Sequence, residues 1–390
     1  MKGARAWGQD VWTSFRLTAM AIVRDQAALL LFFIAGIIYS FFYPLPYHAE
    51  AVRRVPVAIV DQDGSSLSRQ LIRYVGAHPA LAVSGVTTRP DQAQQWIWQG
   101  DAAGALLIPA DFSRKALTGR QPEVEVAGIG SYPLLNKVVL NALAEVTGTV
   151  SAGIELKRLG AATPSAAQAA AAREPLGIEA LPMFNVREGY ASYIVPGVVV
   201  LLMQQTFLLG IGLLFGSWAS EGSFPYAPTA AAYCGALAAG AAVVALNGAY
   251  FFGFVFWWQD YPRGGNPAAA LVLTLVYAVC VAALGIFMGL FFRTRERSVQ
   301  LLIATSMPIV FLAGLVWPAS ALPAPLQVLR WLLPSTAAID AFVAVNQMGA
   351  SLAEVGRDLL VLLALCAVFI VLGLRKWRRY GAAPREPVSS

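Results

Sequence analysis

The residues of this chain whose types and spacing could do chemistry are uncharged polar groups inside apolar runs. Gln204 and Gln205 fall in the middle of the run 189–217, and Asn247 stands in the run 230–258, just ahead of Tyr250, Phe251 and Phe252. Thr305 and Ser306 precede Pro308 in the run 298–317. Such groups either join neighbouring helices by hydrogen bonds, at roughly 1 kcal/mol each in a membrane, or line a path for an amphipathic molecule. The first reading is the more economical. On the second, Gln204, Gln205, Phe207, Asn247, Tyr250 and Phe251 are the substrate-path candidates.

Reactive chemistry has little to work with. The two histidines are His48 and His78, and there are 3 cysteines in all, too few for a usual zinc ligand set. Asp61 and Asp63 could be read as a metal pair, but a strand end followed by a helix cap explains them better. Cys234, Cys280 and Cys366 each lie in an apolar run and read as small packing residues. No cysteine lies between residues 44 and 188, so no disulfide can form there. None of the lysines follows a glycine, so the chain lacks the Gly-Lys of a phosphate-binding loop. It also lacks a Gly-x-Ser-x-Gly nucleophile elbow and an intramembrane protease constellation. No catalytic residue, metal or cofactor is therefore assigned to this chain. The span cores carry no Asp, Glu, Lys, Arg or His, which argues against proton coupling.

The elements that would position these groups follow from composition. The chain has 390 residues, 57% hydrophobic and 13% charged, where a globular protein has about 25% charged residues. Its mean hydropathy is +0.61. Disorder, collagen, coiled coil and a small disulfide scaffold are excluded. A bilayer core takes roughly 20 apolar residues per helix, and six runs qualify: 24–43, 189–217, 230–258, 268–292, 298–317 and 357–374. The first is expected to span rather than act as a signal peptide, because its charged lead is long and more spans follow.

Charge placement sets the orientation. Residues 44–188 hold 13 basic and 13 acidic side chains, so the whole +6 net charge lies outside that block. The excess flanks apolar runs: Lys2, Arg5, Arg16 and Arg24 before the first; Arg293, Arg295 and Arg297 between the fourth and fifth; Arg375, Lys376, Arg378 and Arg379 after the sixth. Six spans put all three clusters on one side, the cytoplasm, with both termini. The excess is a topology signal and not a nucleic-acid face. Residues 1–23 form an amphipathic lead, with Trp7, Val11, Trp12, Phe15 and Met20 interleaved with Arg5, Asp10 and Arg16, and are expected to lie in the interface. Residues 218–229 and 293–297 become cytoplasmic loops, and 375–390 a cytoplasmic tail.

The block 44–188 is large enough for its own core. Strands are expected at Val55–Asp61, Leu81–Thr87, Gly104–Ile108 and Val124–Ile129. Helices are expected from a Ser65 or Ser66 cap through Tyr74, at Asp91–Gln99, Phe112–Leu117 and Pro133–Leu159. Ala161–Ala172 reads as a linker, and Ile178–Asn185 as a returning strand. The fold class is an α-helical polytopic membrane protein of six transmembrane helices, with an extracytoplasmic α/β domain inserted between helices 1 and 2.

One span, a large external α/β block and five further spans resemble the permease subunits of type-2 ABC exporters. The strings VPVAIVDQDGSSLSRQLIRYV (55–75) and GALLIPADFSRKALTGRQPEVEV (104–126) look like that family's first external strand–turn–helix and its next strand–helix–strand. FNVREGYASYIVPGVVVLLMQQ (184–205) is similar to its entry into span two. The stretch 314–349, with Trp317-Pro318, Pro334-Ser335-Thr336 and Met348-Gly349, looks like its external re-entrant helices, which places them within 318–356. Together the strings cover most of the chain.

The resemblance implies a mechanism. Two permeases pair, as homodimer or heterodimer, and each is bound by a separate cytoplasmic ATPase that carries the ATP and magnesium. Substrate (a drug, a lipophilic compound or an envelope component) leaves outward. Members with this external block commonly work with a periplasmic adaptor and an outer-membrane channel. The setting is the bacterial inner membrane, with the lipid bilayer as the chain's solvent. The family carries a charged string after span two that touches the ATPase. Here that place reads GSWASEGSFPYAP (216–228), which shares only Glu221 and Gly222 and holds two prolines. Coupling is then expected to rest on Arg16, Arg24 and Asp25 of the lead, on Glu221, and on Arg293, Arg295, Glu296 and Arg297. The alternative for that last loop is a plain topology anchor, and for the chain a weakly coupling member of a heterodimer. Rival readings of the whole are a membrane receptor or scaffold, whose external block binds a partner protein, and a membrane enzyme.

Overall fold

The computed structural model describes residues 2–47, 52–118, 120–160, 190–261, 263 and 265–382. His48, the linker 161–172, the returning strand 178–185, the first residues of the string 184–205 and the last residues of the tail lie outside these. The chain divides into two units, Met1–Glu50 with Pro182–Ser390, and Ala51–Leu181.

The second unit is α/β, as expected. Its strands are β1 (Val55–Asp61), β2 (Leu81–Thr87), β3 (Gly104–Ile108) and β4 (Glu125–Gly128). They form one sheet in the order β2-β1-β3-β4, with β1 parallel to β2 and to β3, and β3 antiparallel to β4. β1 is central, and all its residues but Pro56 are buried, which explains its unbroken apolar run. The helices are α3 (Ser66–Ala77), α4 (Pro90–Gln99), α5 (Phe112–Leu117) and α6 (Pro133–Gly160). The Ser65 hydroxyl caps α3 by accepting from the Leu67 and Ser68 amides, and Gly100, in the left-handed region at φ 85°, ends α4. Leu71, Val75, Leu106, Ile108, Val139 and Leu143 belong to the core that α3 and α6 share with the sheet.

The first unit is a helical bundle. Before the insertion come α1 (Lys2–Arg24) and α2 (Gln26–Phe42), bent by 89° at Asp25. After it come α7 (Tyr190–Ser220), α8 (Ala230–Trp258), α9 (Pro267–Gly289), α10 (Arg295–Leu312), α11 (Ala324–Leu332), α12 (Pro334–Met348) and α13 (Gly356–Ala382). Among the described residues, α7, α8, α9 and most of α13 are each long and apolar enough to cross a membrane. The count rises to 6 if the bent pairs α1–α2 and α11–α12, the latter turning by 85°, are each taken as one span. α10, the expected fifth span, is not among them. It is 18 residues long and opens on Arg295, Glu296 and Arg297. The last of the six runs extends beyond its expected end, since α13 continues through the basic cluster to Ala382.

α7 is the axis of the bundle: 78% of its most apolar stretch is buried, against 17% for α13. In lipid, close approach of helices depends on shape, and small residues supply it. The Phe207 ring of α7 sits over Gly240 of α8 and Gly285 of α9, where a Cβ would come within 2.9 and 2.6 Å of it. Pro196 lies inside α7 and has no N–H to offer the Ser192 carbonyl. Gln347 Nε2 of α12 donates to that carbonyl at 3.0 Å. Both α2 and α8 contain a π-helical stretch, at Leu30–Ile34 and Ala249–Val255.

Candidate functional site

The sequence-predicted coupling residues separate into two groups. Asp25 stands at the 89° bend between α1 and α2. Its Oδ1 accepts from the Ala27 and Ala28 amides, both at 3.0 Å, and caps α2. The same carboxylate receives a two-pronged bond from Arg295 at the start of α10, Nη1 to Oδ2 at 2.9 Å and Nη2 to Oδ1 at 3.0 Å. Arg295 Nη1 also reaches Ser217 Oγ, near the end of α7, at 3.3 Å. Gly216 permits this meeting, because a Cβ there would stand 2.7 Å from the Thr294 carbonyl. The lead helix, α7 and α10 are thus tied at one point by a fork-to-carboxylate contact. Arg16, Arg24, Glu221, Arg293, Glu296 and Arg297 are exposed. Glu221 accepts only a local bond, from Ser223 Oγ at 3.0 Å.

The loop 218–229 is held by aromatic rings. Phe224 and Tyr226 each stand 5.0 Å from Trp377 of α13, centroid to centroid, and Trp218 stands 5.4 Å from Tyr226. Trp377 is fully buried and donates its Nε1–H to the Ala227 carbonyl at 3.1 Å. Tyr226 and Thr18 of α1 share a buried hydroxyl–hydroxyl bond of 2.7 Å. Burial pushes the Tyr226 pKa well up, against a small opposing effect of the Thr18 hydrogen bond, so the phenol stays neutral. Sequence reading passed over Trp377, Tyr226 and Thr18. The signal was there in the recurrence of Phe215, Trp218, Phe224 and Tyr226 around the two prolines.

The substrate-path candidates are found in helix contacts. Asn247 Nδ2 donates to the Phe32 carbonyl at 2.8 Å, inside the π-helical stretch of α2. Tyr250 Oη and Ser40 Oγ lie 2.8 Å apart. Phe251 packs on Gly36, and Phe207 on Gly240 and Gly285. Gln204 Oε1 accepts from the Ser335 amide of α12 at 3.0 Å, whereas Gln204 Nε2 and Gln205 Nε2 are buried without partners. Asn247→Leu is expected to destabilise the full-length protein by about 1 kcal/mol through loss of the bond to the Phe32 carbonyl. A thermal midpoint in detergent checks it; an unchanged midpoint would remove the bond from the account.

The bent pair α11–α12 carries charge that sequence reading did not weigh. Arg330, 8% exposed, donates from Nη2 to Asp340 Oδ2 at 3.2 Å, joining the two limbs across the bend. Arg330 and Arg357 each lie 5.1 Å from the Trp331 ring centroid.

Asp61 and Asp63 do structural work. Asp61 Oδ1 accepts from the Asp63 and Gly64 amides at 3.1 and 3.0 Å, and Oδ2 accepts from Ser68 Oγ at 2.8 Å. Asp63 Oδ1 accepts from the Ser113 amide and hydroxyl at 3.2 and 2.9 Å. Asp61→Ala is expected to cost about 2–3 kcal/mol. Faster hydrogen exchange over residues 55–77 of the full chain would report it, and chelator should leave that exchange unchanged.

These helices, long, apolar and packed on glycines, define a multi-pass helical membrane protein. The family model described as ABC-2 family transporter protein matches residues 27–375, and the chain belongs to that family. Three relatives are similar along most of their lengths. The linearmycin resistance permease protein LnrN of Bacillus subtilis is 23% identical over 353 residues, 83% of this chain and 88% of LnrN. The inner membrane transport permease YhhJ of Escherichia coli is 22% identical over 336 residues, 83% of this chain and 85% of YhhJ. The probable multidrug ABC transporter permease YbhR of Escherichia coli is 21% identical over 365 residues, 92% of this chain and 95% of YbhR. The chain is therefore an ABC-2 type permease.

Proposed function

We propose that this permease moves a hydrophobic or amphipathic molecule outward across a bacterial inner membrane, driven by a separate ATPase subunit that holds the ATP and magnesium. The observation that carries this reading is the Asp25–Arg295 contact. It links a helix set at 89° to its successor with two helices of the bundle, so a push on α1 reaches α7 and α10 directly. Exposed Trp7 and Trp12 suit α1 to a membrane interface. Exposed Arg16, Arg24, Glu221, Arg293, Glu296 and Arg297 are the side chains left for the ATPase to touch. The names of LnrN and YbhR speak of resistance and of multidrug transport, which suits a lipophilic cargo.

In this reading α2, α7, α8, α9, α10 and α13 make six crossings, with both termini in the cytoplasm. The unit Ala51–Leu181 lies outside, and the bent pair α11–α12 re-enters the bundle from that side. A second permease completes the pathway, and an adaptor and outer-membrane channel receive the cargo. Affinity purification from native membranes tests the assembly. An ATP-binding-cassette ATPase should co-purify, and hydrolysis should be absent from the isolated chain; a solitary chain would end the proposal. Orientation has its own check. A cysteine at the exposed position Trp98 should react with an impermeant maleimide added to intact spheroplasts, and reaction only after lysis would reverse the topology.

A further inference from the structure

We propose that the N-terminal end of α12, with Gln204, is where this transporter recognises an oxygen acceptor, a carbonyl or carboxylate, on an otherwise apolar cargo. The inference rests on the exporter reading above and adds the chemical class of group that is read.

α12 begins inside the bundle, and its first residues Pro334, Ser335, Thr336, Ala337 and Ala338 are all buried. A helix start presents amide hydrogens and the positive end of its dipole. Leu333 at the cap position contributes no side-chain bond. The Ser335 amide is met from α7 by Gln204 Oε1 at 3.0 Å. Three side-chain groups on these two residues and on Thr336 have no partner: Gln204 Nε2, Ser335 Oγ and Thr336 Oγ1. All three residues are fully buried, at 0% exposure. Each group can donate a hydrogen bond, and Gln204 Nε2 can only donate.

A close-packed bundle has no need of this arrangement. Leu, Ala and Val would fill the same space without the desolvation cost of three orphaned polar groups. Each of the three groups can donate and the helix end is positive; Arg330 of the adjoining α11 gives Nη2 to Asp340, while its Nε is buried without a partner. Neutral hydrogen-bond donors of this kind suit an uncharged carbonyl or a single carboxylate. Interrupted helices present their N-terminal ends to acceptor groups in other transport folds for the same physical reason. In the closed bundle Gln204 Oε1 holds the place that the cargo's oxygen would take on the Ser335 amide. Separation of α7 from α12 exchanges one acceptor for the other.

The test uses the full-length chain in lipid nanodiscs and two matched fluorescent probes, diphenylhexatriene and its propionic acid derivative, with empty discs as the blank. The acid should show a saturable component and the hydrocarbon none. Ser335→Ala and Thr336→Val should each weaken the acid's binding by about tenfold, and Gln204→Leu by at least as much. Thr336→Val should also leave the thermal midpoint unchanged or raise it, since it removes an unpartnered hydroxyl at constant shape. Equal affinity in the variants, equal binding of the hydrocarbon, or a lower midpoint for Thr336→Val would each overturn the assignment. ATPase co-purification with Thr336→Val, measured in parallel, reports on the exporter reading separately. If the ATPase is present while the variants bind normally, the recognition point fails and the exporter stands.

Discussion

Arg295→Glu is expected to lower the stability of the full-length protein by about 2–4 kcal/mol, whereas Arg297→Glu, two residues away, should change it by less than about 0.5 kcal/mol. The difference lies in what each guanidinium touches. Arg295 forks onto Asp25, which is only 19% exposed and also caps α2. A glutamate in its place would set two carboxylates against each other at the bend. Arg297 is exposed. Under the exporter function proposed above, both variants should also reduce ATPase stimulation, for different reasons. Arg297→Glu would act with the fold intact, by opposing the partner. Arg295→Glu would act by uncoupling α1 from α7 and α10. The cycle Asp25→Asn with Arg295→Gln separates the ion pair from the cap, because asparagine retains the capping oxygen. A coupling energy of about 1–2 kcal/mol is expected. Strictly additive losses would show that the contact carries nothing.

Trp377→Ala should be comparably severe, at about 3–5 kcal/mol, because the largest fully buried side chain of the protein would leave a cavity among four rings. Trp377→Phe retains most of the packing and loses the bond to the Ala227 carbonyl, a cost of about 1 kcal/mol. Thermal midpoints read both variants. Proteolysis of the loop 218–229 gives an independent readout: Trp377→Ala should expose it to cleavage, while Trp377→Phe should protect it as in the parent chain. An alanine variant as resistant as the parent would mean that the rings do not hold the loop.

The second unit was the more legible part of the chain. Its strands are short apolar runs bounded by turn residues, and β1, β2, β3 and α5 fall on the stretches that periodicity marks out. Ser65 caps where a cap was expected, because capping is a local affair of two or three residues. Four of the expected spans, α7, α8, α9 and α13, were legible as lengths of apolar chain. What each polar residue does inside them was not, because that depends on partners far away in sequence. Asp25 and Arg295 are separated by 270 positions, and each is surrounded by other charges that look equally available. Trp377 was hidden for another reason. Arg375, Lys376, Arg378 and Arg379 made the segment read as a tail, yet a helix turns one residue inward while its neighbours face solvent. Arg330 and Asp340 were missed because the bend that brings them together leaves no mark in a hydropathy profile.

The proline in α7 has a mechanical consequence. Pro196 has no N–H to give the helix, and the Ser192 carbonyl accepts from Gln347 of α12. Any outward excursion of α12 breaks that bond, at about 1 kcal/mol. A helix tied to its neighbour in this way behaves like a sprung door, so that opening requires work and shutting is spontaneous.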